Sequence, residues 1–272
     1  MKTLEQTQSW PAENVSAAVV AADGTVLGTA GDQQKRYPLA SVTKLLTAYA
    51  FQVALEEEAV ALDDPAGPEG STIRHLLAHT GGYDFGDRTV RYEPGTRRLY
   101  SNAGFEVLGE HLERATGIAF ADYLSEAVLA PLGMTGTSLD GSPAAGAVST
   151  AADLSRFAAE LQAPRLISAG SLSAATSVVF PGLAGVLPGF GRQKENDWGL
   201  GFEIRNGKSP HWTGSSNSAR TFGHFGQSGT FLWVDPDLKA AAVALTDRDF
   251  GPWAAEAWPE FNDALVAELR EG

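Results

Sequence analysis

From Tyr37 to Leu55 the chain carries no charge except at Lys44. Read at 3.6 residues per turn, Val42–Leu46, Ala48–Phe51 and Val53–Leu55 leave almost no polar face. The pattern therefore predicts a helix, beginning shortly after Pro38, that is buried on most of its sides. A lysine inside such a helix costs free energy unless something makes use of it. Ser41 lies three residues earlier, so the two side chains share a helical face. It also falls at or near the helix N-terminus, where free N–H groups and the dipole favour negative charge. A serine hydroxyl is a weak nucleophile until a base takes its proton. A lysine in apolar surroundings has its charged form disfavoured and becomes a candidate for that base. Ser41-x-x-Lys44 is thus a compact nucleophile–base pair. The same four residues also suit a serine cap followed by a lysine whose head reaches water, and the pattern alone does not separate the two.

The 272 residues suit one domain, with an α/β lobe at about 1–60 and 195–272 and a helical lobe at about 61–194. A formal net charge of −13 disfavours nucleic acid as a partner. There is no cysteine, hence neither a disulfide nor a thiol nucleophile. The first ten residues lack the apolar core of a signal sequence, and no apolar run is long enough to span a membrane. Taken as it stands, the chain reads as cytoplasmic; a leader ahead of it would make it secreted.

Val15–Ala22 and Thr25–Ala30 flank Asp23-Gly24, a strong hairpin signal. Ser71 or Thr72 opens a short helix, Ile73–His79, closed by Thr80-Gly81-Gly82. Helices are expected over Gly104–Thr116, Ala119–Leu129, Ala151–Leu161 (capped by Ser149 or Thr150) and Leu172–Val179. Trp198–Arg205 alternates with period two and reads as a strand. Thr230–Val234 and Lys239–Thr246 pair across Asp235-Pro236-Asp237, and Trp253–Arg270 closes the chain as a helix. Strands at both ends with helices between them predict an α+β fold: an antiparallel sheet assembled from the two termini, flanked by helices, with a mostly helical lobe inserted. His75 and His79 have the i, i+4 spacing of two metal ligands, yet no glutamate base follows His75 and no third ligand is near. A structural role is expected for them, and no metal.

Three short stretches now stand in order: Ser41-Val42-Thr43-Lys44, Tyr100-Ser101-Asn102 and His224-Phe225-Gly226. Together they resemble the Ser-x-x-Lys, Tyr-x-Asn and Lys-Thr-Gly motifs of the serine β-lactamase, DD-peptidase and esterase family, closest to its class C branch. Ile73–Gly82 and Pro94-Gly95 support the likeness, which spans about residues 15–250. It implies a β-lactamase/transpeptidase-like fold and a serine hydrolase that needs no cofactor. Ser41 would be the nucleophile, with Lys44 and Tyr100 handling the proton. The backbone N–H groups of Ser41 and Gln227 would hold the oxyanion.

The residues read by themselves support these roles. A lysine neighbour could lower the Tyr100 phenol and make it a proton shuttle. Asn102 could orient Lys44 or bind substrate, while an N-cap role for the following helix stays open. Gly226 lets a strand approach a ligand closely. His224 departs from the family's common lysine, being a neutral or switchable donor near pH 7, so efficient β-lactam hydrolysis is not expected. Arg220 or Arg248 could supply the missing charge. Trp198, Trp212, Phe222, Phe225 and Phe231 could line an acyl pocket, though sheet packing accounts for most of them. The expected activity is hydrolysis of a small-molecule ester or small amide through an acyl-enzyme. The alternatives are a β-lactamase or D-alanyl-D-alanine carboxypeptidase, and a non-catalytic module binding acyl or peptidoglycan-like ligands.

Overall fold

The computed structural model describes residues 1–271. In chain order its strands are β1 (Val15–Ala21), β2 (Val26–Ala30), β3 (Tyr37–Pro38), β4 (Ser138–Leu139), β5 (Ala147–Ser149), β6 (Gly185–Leu187), β7 (Gly191–Gln193), β8 (Glu203–Ile204), β9 (Phe222–Gly226), β10 (Thr230–Asp235) and β11 (Ala240–Thr246). Its α-helices are α1 (Thr43–Glu56), α2 (Ile73–Leu77), α3 (Asn102–Thr116), α4 (Phe120–Leu124), α5 (Ala151–Glu160), α6 (Ala169–Ala175) and α7 (Pro252–Glu271).

Six strands form an antiparallel sheet in the order β2-β1-β11-β10-β9-β8, so β1, from one end of the chain, pairs with β11, from the other. This is the expected α+β architecture. Local chemistry sets the hairpins. Gly24 supplies the positive φ of the β1–β2 turn, where the Thr25 N–H donates to Asp23 Oδ1 at 2.9 Å. Every residue of β11 is buried, because helices cover both faces of the sheet. Ala241, Val243 and Leu245 face the core shared with α1 and α5. Ala242 and Ala244 face Trp258, Phe261 and Leu265 of α7. The small alanines let the second layer approach closely.

The uncharged stretch does become a central helix. A short 3₁₀ turn, Ala40–Val42, leads into α1, whose residues from Thr43 to Ala54 are all buried. α1 touches α3, α4, α6 and β9, so its lysine sits where sheet and helices meet.

Several expectations shift. The segment between the terminal strands also holds β4 and β5, which join β3 in a small sheet, and the β6–β7 hairpin. Strands of two or three residues are too short to show periodicity. Of Trp198–Arg205 only Glu203–Ile204 pairs as a strand with β9. The chain turns at Gly199, whose N–H donates to Phe202 O at 2.8 Å, and Gly201 has φ +88°. The helix expected over Leu172–Val179 lies earlier, at Ala169–Ala175, because Ser168 caps it by accepting from the Ser171 N–H at 3.0 Å. The helix expected over Ala119–Leu129 is α4 continued by a π-turn at Ser125–Leu129.

Candidate active site

Ser41 stands in the 3₁₀ turn that feeds α1 and is partly exposed, whereas Lys44, one turn on, is fully buried. The preceding Ala40 has φ +44°, a left-handed conformation that costs an L-residue about 1–3 kcal/mol. It is held there by its neighbours. The Leu39 N–H donates to Ala147 O at 2.9 Å, and Ser228 Oγ and Thr230 Oγ1 donate to the carbonyls of Pro38 and Leu39 at 2.7 and 2.9 Å. The strand carrying His224 and Gly226 is thereby stapled to the segment carrying the serine. Gly226 is required at this seam, since a Cβ there would lie 2.3 Å from the Leu39 carbonyl oxygen.

Two side chains converge on Ser41 Oγ, and two oxygens converge on the lysine. Lys44 Nζ lies 3.3 Å away, and Tyr100 Oη donates to Ser41 Oγ at 2.7 Å. Lys44 Nζ also donates to Asn102 Oδ1 at 2.6 Å and to Ala144 O at 2.8 Å. Burial pushes the Lys44 ammonium well below the ordinary lysine range, with Glu106 opposing weakly. A neutral amine has two N–H groups and one lone pair. The two oxygens that can only accept take both N–H groups, which leaves the lone pair for the serine proton. The lysine also lies 4.7 Å from the Tyr100 ring centroid.

Asn102 does not cap its helix. Ser101 does, accepting from the Gly104 N–H at 3.1 Å, and this frees the Asn102 side chain for Lys44. The expected acidification of Tyr100 does not occur. Burial drives its phenol upward, only partly offset by the bond to Ser41, so the hydroxyl keeps its proton at rest.

His224 is also corrected. Its Nδ1 lies 2.6 Å from the Phe225 carbonyl oxygen, which can only accept, so Nδ1 carries the proton and Nε2 is a bare acceptor. Nε2 is buried without a partner. Burial above all lowers the imidazole, to about 3. His224 is therefore neither a switchable donor near neutrality nor a cation. Arg220 and Arg248 do not replace the charge: Arg220 pairs with Asp237 at 2.7 Å, Arg248 donates to Pro11 O at 2.7 Å, and neither lines the Ser41 pocket.

That pocket is small, about 80 Å³, and Ser41, Tyr100, His224 and Gln227 line it together with Phe85, Leu187, Pro188, Trp198, Glu203 and Phe225. Clefts of about 640 and 690 Å³ lie elsewhere, but neither is lined by Ser41, Lys44 or Tyr100. The N–H groups of Ser41 and Gln227 meet no acceptor among the described residues, whereas the Gln227 side chain and carbonyl are tied to the Phe250 backbone at 3.1 and 2.7 Å. Of the aromatic candidates, Trp198 and Phe225 line the pocket, while Trp212, Phe222 and Phe231 are core.

The two histidines of the Ile73–His79 stretch are bound to backbone. His75 Nδ1 accepts the Thr72 N–H at 3.3 Å, and His79 Nδ1 accepts the Ser101 N–H at 3.2 Å. His79 supports the wall that carries Tyr100, its ring lying 4.6 Å from that of Tyr100 and 4.5 Å from that of Trp198, whereas His75 stacks on Phe180 at 4.7 Å.

Four pocket residues escaped the sequence reading. Pro188 had a usable signal, since Pro188-Gly189 is a turn dipeptide. Phe85, Leu187 and Glu203 had none. Glu203 is buried, and it accepts from Lys208 Nζ, from His211 Nε2 at 3.0 Å and from Trp212 Nε1 at 2.6 Å. Burial alone would raise its carboxyl, but His211 and Lys208 outweigh this and hold it ionised.

A serine bonded to a buried lysine and a protonated tyrosine, beside two unengaged backbone donors, is the arrangement of a serine hydrolase-type site. The chain matches the β-lactamase family over residues 11–267 and belongs to it. It is 57% identical to a crystal structure described as a β-lactamase from Mycobacterium bovis, with a TM-score of 0.96 and coverage of 98% of this chain and 99% of that one. The fold is shared with EstCE1, a hydrolase with promiscuous acyltransferase activity, at 18% identity, TM-score 0.79 and 97% coverage of both chains. Penicillin-binding protein 4* of Bacillus subtilis is 28% identical over 134 residues, which is 37% of this chain and 30% of that protein. The match thus spans under a third of that relative. Among the described residues no helix is long and apolar enough to cross a membrane.

Proposed function

We propose that the protein hydrolyses esters, or small amides, of a short acyl group through an acyl-enzyme on Ser41. The observation that carries this reading is the position of Ser41 Oγ, 3.3 Å from a fully buried lysine amine and 2.7 Å from the Tyr100 hydroxyl. In the reaction Ser41 Oγ bonds to the substrate carbonyl carbon as its proton passes to Lys44. The oxyanion so formed lies against the N–H groups of Ser41 and Gln227. As the carbonyl re-forms, the bond to the leaving oxygen breaks, that oxygen takes the Tyr100 proton, and Lys44 returns a proton to Tyr100. Water then adds to the acyl carbonyl, and release of the acid restores Ser41.

The pocket of about 80 Å³ has room for only a short acyl chain. A neutral His224 offers no fixed positive charge to a carboxylate at that strand, which favours esters over β-lactams and D-alanyl peptides. The test is the intact mass of wild type and Ser41→Ala after exposure to a serine-reactive fluorophosphonate. A single adduct on wild type alone, with acetyl ester turnover lost in the variant, is the expected outcome. Undiminished turnover in Ser41→Ala would overturn the reading.

A further inference from the structure

A second cleft, of about 390 Å³, adjoins the Ser41 pocket, and Phe85, Tyr100 and Pro188 line both. Its walls hold large apolar side chains left in water: Phe85 is 53% exposed, Tyr92 42% and Val186 59%. Arg97 and Arg192 also line it. Every other arginine of the chain gives its guanidinium to a carboxylate, carbonyl or hydroxyl. Among the described residues Arg97 and Arg192 donate to none; Arg97 only lies over the Tyr92 ring, 4.9 Å from its centroid. On a chain of formal net charge −13, two unpaired guanidiniums flank one apolar cleft beside the nucleophile.

The backbone accounts for their placement. The Arg98 guanidinium is buried and held by the carbonyls of Ala78, Val179, Phe180 and Asn196. Arg97, its neighbour, is exposed, as alternation along extended chain requires. Val186 and Arg192 are register partners across the β6–β7 hairpin and share a face. Leu187 and Phe190 root that hairpin in the core beneath the sheet.

Building on the ester-hydrolase reading, we propose that this cleft takes the remote end of the substrate, an apolar segment ending in a carboxylate that Arg97 and Arg192 bind. It would supply charge recognition at a place distinct from His224, whose strand offers none. The small Ser41 pocket holds the scissile ester, and the wider cleft selects among esters by what they carry farther out.

The test compares wild type with Arg97→Gln/Arg192→Gln on two matched pairs of esters. One pair has the charge on the acyl side, mono-4-nitrophenyl glutarate against 4-nitrophenyl methyl glutarate. The other has it on the alcohol side, 4-acetoxybenzoate against methyl 4-acetoxybenzoate. In one of the pairs the double variant is expected to lose about tenfold in kcat/KM for the anionic member, chiefly through KM, with the neutral member within about twofold of wild type. Added salt should erode the wild-type value for that anionic ester alone. Equal effects on charged and neutral members, or no effect on either, would overturn the proposal. Failure of the ester-hydrolase reading looks different: no member of either pair would be turned over by wild type.

Discussion

In the proposed mechanism Lys44 sets the pH behaviour of the site. Its folded-state amine binds a proton less tightly than the unfolded lysine, whose value is 10.5. Between the depressed folded value and 10.5 the unfolded chain therefore holds more protons than the folded one, and stability rises with pH. Relative to Lys44→Met, wild type should gain stability as the pH rises through that window, by at most about 1.4 kcal/mol per pH unit, measured as the difference in urea-unfolding free energy between pH 8 and 10. A flat difference would mean that the lysine titrates normally. If Lys44 is the base, as proposed, the same lowering places the acid limb of kcat/KM at Lys44. His224, near 3, is neutral throughout and should leave that limb unmoved when changed to Gln. The pairing of Ser41 with Lys44 was legible in the residues because it needs only helical spacing. The charge state of His224 was not, because it depends on a carbonyl at 2.6 Å and on burial by segments far away in sequence.

At the level of elements, the site is a seam between the 3₁₀ turn before α1 and the end of β9. Gly226→Ala brings a Cβ within 2.3 Å of Leu39 O and 2.5 Å of Thr230 Oγ1. Something must move, and a backbone carbonyl two residues before Ser41 is the nearer obstacle. The variant should lose about 1–3 kcal/mol of stability and at least about tenfold in kcat, since the oxyanion donor proposed at Gln227 shifts with the strand. Denaturant unfolding together with acetyl ester kinetics would check it; wild-type kcat in the variant would show that the seam is compliant. The hairpins closed by Asp23-Gly24 and by the Asp235 turn were readable from turn chemistry, and α1 from its lack of a polar face. The β3-β5-β4 sheet and the β6–β7 hairpin were not, because strands of two or three residues are held by partners rather than by their own pattern, and for the same reason the strand read over Trp198–Arg205 was too long at both ends of β8.

Across the whole molecule, two apolar layers enclose one sheet, and a buried ionic cluster lies behind the pocket. Trp258 of α7 is fully buried and packs edge-on against Phe231, with ring centroids 5.1 Å apart. Trp258→Ala should cost about 3–5 kcal/mol, seen as a lower denaturant midpoint. Lys208 is fully buried against Glu203, and it also donates to the carbonyls of Ile204 and Asp197 at 2.6 and 2.8 Å. Its removal strands the carboxylate in a low-dielectric site, so Lys208→Met should destabilise by about 3–5 kcal/mol, whereas Lys208→Met/Glu203→Gln should recover part of that loss.

The sequence by itself determined what periodicity and local chemistry can encode: a buried helix with a serine and a lysine on one face, hairpins at their turn residues, and terminal strands able to share a sheet. Tertiary structure alone decided which group Asn102 serves, that Tyr100 keeps its proton, that His224 presents an acceptor, and that Arg97 and Arg192 flank a common cleft. These outcomes follow from desolvation and from contacts between segments far apart in sequence, such as Lys44 with Ala144 and Tyr100 with His224, and neither leaves a mark on local sequence.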